Sequence, residues 1–258
     1  MAVDGGRLKL EWGVLNARGG REVEDFLWWE AERLAGFLGL YAFGERTVEI
    51  AGMVDPGARR RGIATALLDV ALPICRERGY ERALLVAPRG SGAGRKLALA
   101  RGGLLEHSEH ALVLDGAPTD GPSDPRIGVR TAAPGDASEL SRLLSSAFGA
   151  PPADLLDRMS SDSERTLVLE LEGLIVGTLR VTPQQDTGGI YGFVVDPSWR
   201  RRGIGRDVLR RVCRQLRDQG VERIGLEVAV ENDHALNLYT SLGFTQVTTE
   251  DYYSVPLS

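Results

Sequence analysis

Residues 200–205 read Arg-Arg-Arg-Gly-Ile-Gly, preceded by Val194-Val195-Asp196-Pro197 and followed by an amphipathic stretch with helical spacing. A strand, a glycine-containing basic turn and a helix start in that order form a cradle for a phosphate. The first N–H groups of a helix have no intrahelical partner and carry the positive end of the helix dipole. Gly203 and Gly205 let an anion approach that backbone with no Cβ in the way, and Arg200, Arg201 and Arg202 add positive charge. A solvated basic turn is the competing reading for an isolated arginine triplet. The strand, the Asp-Pro turn and the helix around this one favour the phosphate. The pattern is not a P-loop, because no Gly-Lys-Ser/Thr follows, and it is not the Gly-x-Gly-x-x-Gly dinucleotide fingerprint.

The device occurs twice. Residues 53–64, Met-Val-Asp-Pro-Gly-Ala-Arg-Arg-Arg-Gly-Ile-Ala, repeat it at a displacement of 141 residues. Met53, Val54, Arg59, Arg60, Arg61, Gly62, Ile63 and Ala64 therefore form a second candidate phosphate site. The displacement holds from Gly36 and Gly177 to Gly102 and Gly243, an unbroken register that predicts two copies of one domain. Asp115–Pro125, rich in Pro, Gly and Asp, cannot hold a regular element and reads as a linker. The expected division is 1–116, a linker over 117–126, and 127–258.

Other residues fit acid–base work. Glu227 lies within Leu226-Glu227-Val228-Ala229-Val230, where a carboxylate is costly unless it has a partner or a task; an ion-paired structural glutamate is the alternative. Glu170, on a neighbouring predicted strand, competes with it. Tyr191, Tyr252 and Tyr253 are candidates to line an acceptor pocket, although strand aromatics are often core. Cys75 and Cys213 fall on the apolar stripes of the two helices after the repeated motifs and read as small core residues. His107, His110 and His234 have no metal-ligand spacing, so no metal is expected.

The elements that position these groups follow from periodicity. In the second half the pattern predicts a strand at Gly128–Thr131 and a helix at Pro134–Phe148. Strands at Arg165–Leu171 and Ile175–Thr182 are joined by a Glu172-Gly173 turn, and another strand runs over Ile190–Val195. A helix at Gly203–Gln219, a strand at Ile224–Val230, a helix at Asp233–Leu242 and closing strands at Phe244–Thr249 and Asp251–Pro256 complete it. Each half reads as an α/β sandwich with a mixed sheet. The first half lacks a clear copy of the front strand and helix; Lys9–Leu15 reads as one strand, and Pro73 is expected to kink the main helix.

The 258 residues carry a net charge of −5, with 43% hydrophobic and 26% charged residues, which suits a soluble globular protein and gives no nucleic-acid footprint. No apolar run approaches the ~18–20 residues of a membrane span. No basic-then-apolar leader opens the sequence, so a cytoplasmic location is expected. Oligomeric state is not legible.

Arg-x-x-Gly-x-Gly after Val-Val-Asp-Pro, followed by Asn232-x-x-Ala235-x-x-Leu238-Tyr239-x-x-x-Gly243-Phe244, resembles the GNAT family of acetyl-CoA-dependent N-acetyltransferases. The match covers about residues 128–256; the first half shares only the first motif. The tandem arrangement is similar, in layout alone, to two-domain acetyltransferases of the mycothiol synthase type. The resemblance implies two GNAT-like domains, each a mixed, mostly antiparallel sheet flanked by helices and opened into a V between the strands ending at Val195 and near Val230. Pantetheine would bond the backbone of Phe193, Val194 and Val195. The pyrophosphate would take the N–H groups of Arg201, Arg202, Gly203, Ile204, Gly205 and Arg206, and Asn232 would face the CoA arm. Tyr239 occupies the family's acid position, where it would protonate the leaving thiolate; packing beside Phe244 is its alternative. Glu227, twelve residues before it, matches the base position of the ribosomal-protein Nα-acetyltransferases.

At the 141-residue displacement, Glu227, Asn232 and Tyr239 correspond to Val86, Ser91 and Ala98. Valine accepts no proton and alanine donates none. The reading is an acetyl-CoA-dependent N-acetyltransferase acting on a small amine or a peptide N-terminus through its second domain, beside an eroded first domain. Its competitor is a non-catalytic acyl-CoA-binding tandem module.

Overall fold

The computed structural model describes residues 9, 15, 18–20, 22–42, 46–149, 155–161, 164–184 and 186–257. The chain forms two compact units, Met1–His110 together with Thr248–Ser258, and Ala111–Val247. The expected strand at Lys9–Leu15 lies outside the described residues apart from its two ends.

The first unit runs β1 (Asp25–Glu30), β2 (Arg33–Ala42), β3 (Thr47–Val54), α1 (Ile63–Glu77), β4 (Arg82–Pro88), α2 (Gly92–Ala100) and the start of β5 (Leu104–Asp115). The second contains the end of β5, then β6 (Gly128–Thr131), α3 (Ala137–Phe148), α4 (Leu155–Met159), β7 (Arg165–Leu171), β8 (Leu174–Gln184), β9 (Thr187–Val195), α5 (Ile204–Asp218), β10 (Arg223–Ala229), α6 (Asp233–Thr240) and the start of β11 (Thr245–Val255). Strands neighbour one another in the order β1-β2-β3-β4-β11 in the first unit and β6-β7-β8-β9-β10-β5 in the second. Each sheet is mostly antiparallel with one parallel step, β3 with β4 and β9 with β10.

Helix α5 shows why these residues fold this way. Ile204, Val208, Leu209, Val212, Cys213 and Leu216 recur at helical spacing and are all buried. They pack on Leu167, Leu169, Leu179, Ile224, Leu226 and Val228, which alternate along the strands beneath. Cutting one such leucine back to alanine costs about 2–5 kcal/mol. Helix α3 covers the opposite face of the same sheet, where Leu140 and Leu144 meet Leu155 and Val168. The first unit repeats the arrangement with Ile63, Leu67, Leu68, Ala71, Leu72 and Cys75 on α1. Both cysteines are buried core residues. Pro73 lies inside α1, and the helix continues past it to Glu77.

Two expectations need correction. The closing strands are one continuous strand, β11, because no turn residue interrupts the chain at Glu250, which is itself buried within the strand. Its last residues pair antiparallel with β4, from Glu250 with Pro88 to Val255 with Ala83. Consequently 248–258 complete the sheet of the first unit, whereas a division at the linker places them with the second half. The linker itself has no regular element but is not loose. Arg210 of α5, 3% exposed, donates from Nε to the Thr119 carbonyl (2.9 Å) and from Nη1 to the Pro122 carbonyl (2.8 Å). Arg211 adds a bond to the Ile127 carbonyl at 2.7 Å.

Candidate active site

In the second unit the parallel step between β9 and β10 consists of three pairs, Thr187 with Arg223, Ile224 with Gly188, and Gly225 with Gly189. Beyond Gly189 and Gly225 both strands continue, to Val195 and Ala229, with no further pairing between them. The sheet thus opens toward the carboxyl ends of these strands, as the V that the family resemblance implies. The first unit opens in the same way: β3 and β4 pair from Thr47 with Arg82 to Ile50 with Leu85, and then run on to Val54 and Pro88.

At the end of each opened strand stands the repeated turn, and its two copies agree closely. Asp196 accepts from the Ser198 N–H at 2.9 Å, as Asp55 does from Gly57 at 2.9 Å. Arg200 Nε donates to the Val195 carbonyl at 2.8 Å, and Arg59 Nε to Val54 at 3.1 Å. Arg201 and Arg60 hold left-handed φ angles of 61° and 64°, and Gly203 and Gly62 hold 83° and 81°. Two left-handed residues one apart turn successive N–H groups into one concavity ahead of the helix, an arrangement that binds anions. Its fit to a pyrophosphate rests on this backbone more than on side chains. The Arg200 guanidinium is spent on the strand end, and that of Arg202 lies 4.6 Å from the Trp199 ring centroid. Arg206 bonds Ser241 at 3.1 Å. The Asp196 carboxyl is held down at about 2 by its bonds to Ser198 and Arg142, so the turn keeps this anchor until the pH falls well below 3.8, through about 2.

Gly203 is the position where the cradle demands glycine, since a side chain there pays about 1–2 kcal/mol for left-handed backbone. Gly203→Val is therefore expected to weaken acetyl-CoA binding about tenfold or more, read by calorimetric titration. Gly62→Val is expected to leave steady-state turnover unchanged.

The two openings differ in their strands. In β9, Thr178 faces Val194 while Arg180 faces Tyr191, so β9 carries one extra residue there, a bulge at Gly192 with φ +56°. In the first unit β2 and β3 pair without a shift from Gly36 with Val54 to Ala42 with Val48. The displacement of 141 is thus interrupted along β3 and β9, where paired positions match at 140 until the bulge restores it. The bulge also re-aims side chains: Ile190 and then Phe193 and Val195 pack toward the α5 core. A glycine inside the run Ile190-Tyr191-Gly192-Phe193 is the sequence signal that marks it.

The chemical groups are placed as follows. Tyr239, on α6, is 7% exposed and packs edge-on against Phe244 with centroids 5.9 Å apart, the contact named as the alternative to its acid role. Burial pushes its phenol up to about 12, which keeps the proton on the oxygen. Glu227 is half-buried on β10, on the face opposite Ile224, Leu226 and Val228. Asn232 caps α6, its side-chain oxygen accepting from the Ala235 N–H at 3.1 Å; Ser91 caps α2 through the Gly94 N–H at 3.1 Å. The serine in the first copy therefore preserves the cap and loses the amide.

Glu170 is bound to Arg130 at 2.8 Å, and Arg130 also grips Asp136 at 2.7 Å. This ion cluster, absent from the sequence reading, gives Glu170 a structural partner. The expectation that Tyr252 and Tyr253 line an acceptor pocket also fails. Both are buried in the first unit, Tyr252 among Leu84 and Val86 with its hydroxyl donating to Glu109 at 2.8 Å, and Tyr253 in the core beneath α1. Pro183 and Gln184 extend β8 beyond the expected end at Thr182, and Thr187–Gly189 open β9 ahead of the expected start at Ile190. Among the described residues no group of three His, Cys, Asp or Glu side chains is placed to hold a metal.

The family model for the acetyltransferase (GNAT) family matches residues 7–100 and again 138–244. The chain belongs to the GNAT family of acetyltransferases. Both halves carry the family's fold, and the enzyme is an N-acetyltransferase with a tandem layout. A curated relative, the mycothiol acetyltransferase of Sanguibacter keddieii, is 30% identical, the match covering 85% of this chain and 78% of that protein. That of Cellulomonas flavigena is 27% identical over 88% of this chain and 72% of its own. Among solved structures, a GCN5-related N-acetyltransferase from Sphaerobacter thermophilus superposes with a TM-score of 0.78 at 21% identity, covering 95% of this chain and 85% of that one. A tandem GNAT protein from the clavulanic acid biosynthesis pathway gives 0.66 at 19% identity, with 91% and 82% covered. No helix among the described residues is long and apolar enough to cross a membrane.

Proposed function

We propose that this acetyltransferase passes the acetyl group of acetyl-CoA directly to a small amine within a ternary complex, and that the reaction occurs in the second unit, Ala111–Val247. The observation that carries the reading is the asymmetry between two otherwise matching openings. Only the second joins the cradle at Arg200–Arg206 to the Gly192 bulge, a half-buried carboxylate at Glu227 and a protonated phenol at Tyr239. Glu227 takes a proton from the acceptor ammonium, and the free amine attacks the thioester carbonyl. Tyr239 then protonates the departing CoA thiolate. Direct attack is favoured over an acyl-enzyme because Cys213, the cysteine of this domain, is buried with its thiol pushed up to about 12. Acetyl-CoA is the co-substrate, with Phe193, Val194 and Val195 along the pantetheine and Asn232 beside the CoA arm. The relatives named mycothiol acetyltransferase favour a small-molecule acceptor over a peptide N-terminus.

For the first unit, Met1–His110 with Thr248–Ser258, a second reading is supported by its own geometry. The turn from Arg59 to Ala64 keeps the cradle dihedrals while Val86 and Ala98 fill the chemical positions. That domain is proposed as a non-catalytic CoA site. CoA release from acetyl-CoA, followed against a panel of small amines, tests the proposed function. Release dependent on an added amine is expected; tight acetyl-CoA binding with no release for any amine would make the whole chain a binding module.

A further inference from the structure

The parallel pairing of β9 and β10 ends at Gly189 and Gly225, and the next residues on the same face of the two strands are Tyr191 and Glu227. Tyr191 pairs in register with Arg180 of β8. Arg180, Tyr191 and Glu227 therefore form a row across β8, β9 and β10 at the mouth of the opening. The row lies on the sheet face away from α5. The Tyr191 ring folds back over Gly189, where a Cβ would lie 2.3 Å from a ring carbon. The Arg180 guanidinium sits 5.8 Å from the Tyr191 ring centroid and bonds through Nη1 to Glu164 at 2.9 Å. Glu164 immediately precedes β7, so the Arg180 guanidinium stands between the Glu164 carboxylate on one side and the Tyr191 ring of β9 on the other.

The duplicated domain supplies an internal comparison. By strand register, the same row in the first unit is Gly39, Ala51 and Val86. Three adjacent strands have each lost the polar or aromatic side chain at this level, while the cradle beside them survives. The strand framework alone does not require the Arg-Tyr-Glu row, because the first sheet is built without it.

We propose that Arg180, steadied by Glu164 and Tyr191, is a specificity-determining residue for the acceptor. It selects amines whose far end is neutral and oxygen-rich or anionic, and rejects those bearing a second cation. The inference rests on the proposed function, with Glu227 receiving the reacting ammonium. Across the row, on the order of 10 Å at two strand spacings, the field runs from carboxylate to guanidinium. An acceptor is oriented with its ammonium at Glu227 and its electron-rich end toward Arg180, and a diamine is repelled at that end.

Three amines of equal chain length test this: 4-aminobutanol, 4-aminobutanoate and 1,4-diaminobutane, assayed by CoA release. The intact enzyme is expected to show kcat/KM for the alcohol and the acid at least about tenfold above the diamine. Arg180→Glu should invert that order, and Arg180→Lys, which keeps the charge but not the planar guanidinium, should retain it. The KM for acetyl-CoA should stay within about twofold throughout, because the cradle is untouched. Equal kcat/KM for the three amines, or an unaltered ratio in Arg180→Glu, would overturn the inference while leaving the proposed function standing. No CoA release with these or any other amine would remove the proposed function itself.

Discussion

Tyr239→Phe is expected to lower kcat by about one to three orders of magnitude while acetyl-CoA affinity stays nearly constant. The substitution keeps the ring that packs against Phe244 and removes only the hydroxyl, so loss of fold does not confound the result. Burial has raised the phenol to about 12, above its ordinary 10.0, so it is a proton donor across the working range and contributes no alkaline limb to the rate profile near neutrality. The same shift fixes a stability trend. A folded-state value above the unfolded one means that the contribution of the neutral phenol is complete below about pH 10 and fades as the pH rises toward about 12. The phenylalanine variant should therefore lose less stability than the parent over that interval, as measured by denaturant melts at stepped pH. Unchanged turnover in Tyr239→Phe would remove the hydroxyl from the mechanism.

Glu227→Gln should have the larger effect, a fall in kcat of about two to four orders of magnitude at neutral pH. The deficit should shrink as the pH rises toward the acceptor's own pKa, since an amine already deprotonated needs no base. A purely structural glutamate would show neither the deficit nor its recovery. Glu170→Gln offers the contrast. Its carboxylate is bound to Arg130, so its removal should disturb the Arg130–Asp136 cluster and leave the pH dependence of turnover alone.

Much of this was legible from residue order. The strand, Asp-Pro turn and helix around Arg200–Gly205 lie where periodicity placed them, because the α5 stripe and the turn chemistry of Asp196 and Gly203 are local. The Glu172-Gly173 hairpin was equally local, with both residues at positive φ. What escaped depends on partners distant in sequence. That β11 completes the first unit follows from its pairing with β4, which no local pattern encodes. Tyr252 is therefore a buried residue of the first unit. Arg180 gave no signal as one arginine among many, and its interest arises only from standing in register with Tyr191 and from Gly39 in its place in the other copy. The bulge had a sequence mark in Gly192, but its meaning needed the unshifted β2–β3 ladder for comparison.

The claim that catalysis resides in the second domain alone is tested most directly by steady-state CoA release from the double variant Glu227→Gln, Tyr239→Phe, in which the first domain and its cradle at Arg59–Ala64 are intact. Amine-dependent release is expected to fall to the background rate of acetyl-CoA hydrolysis while the variant still binds acetyl-CoA. Release persisting near the parent rate would contradict the claim and show that the first domain, despite Val86 and Ala98, transfers acetyl groups by other residues.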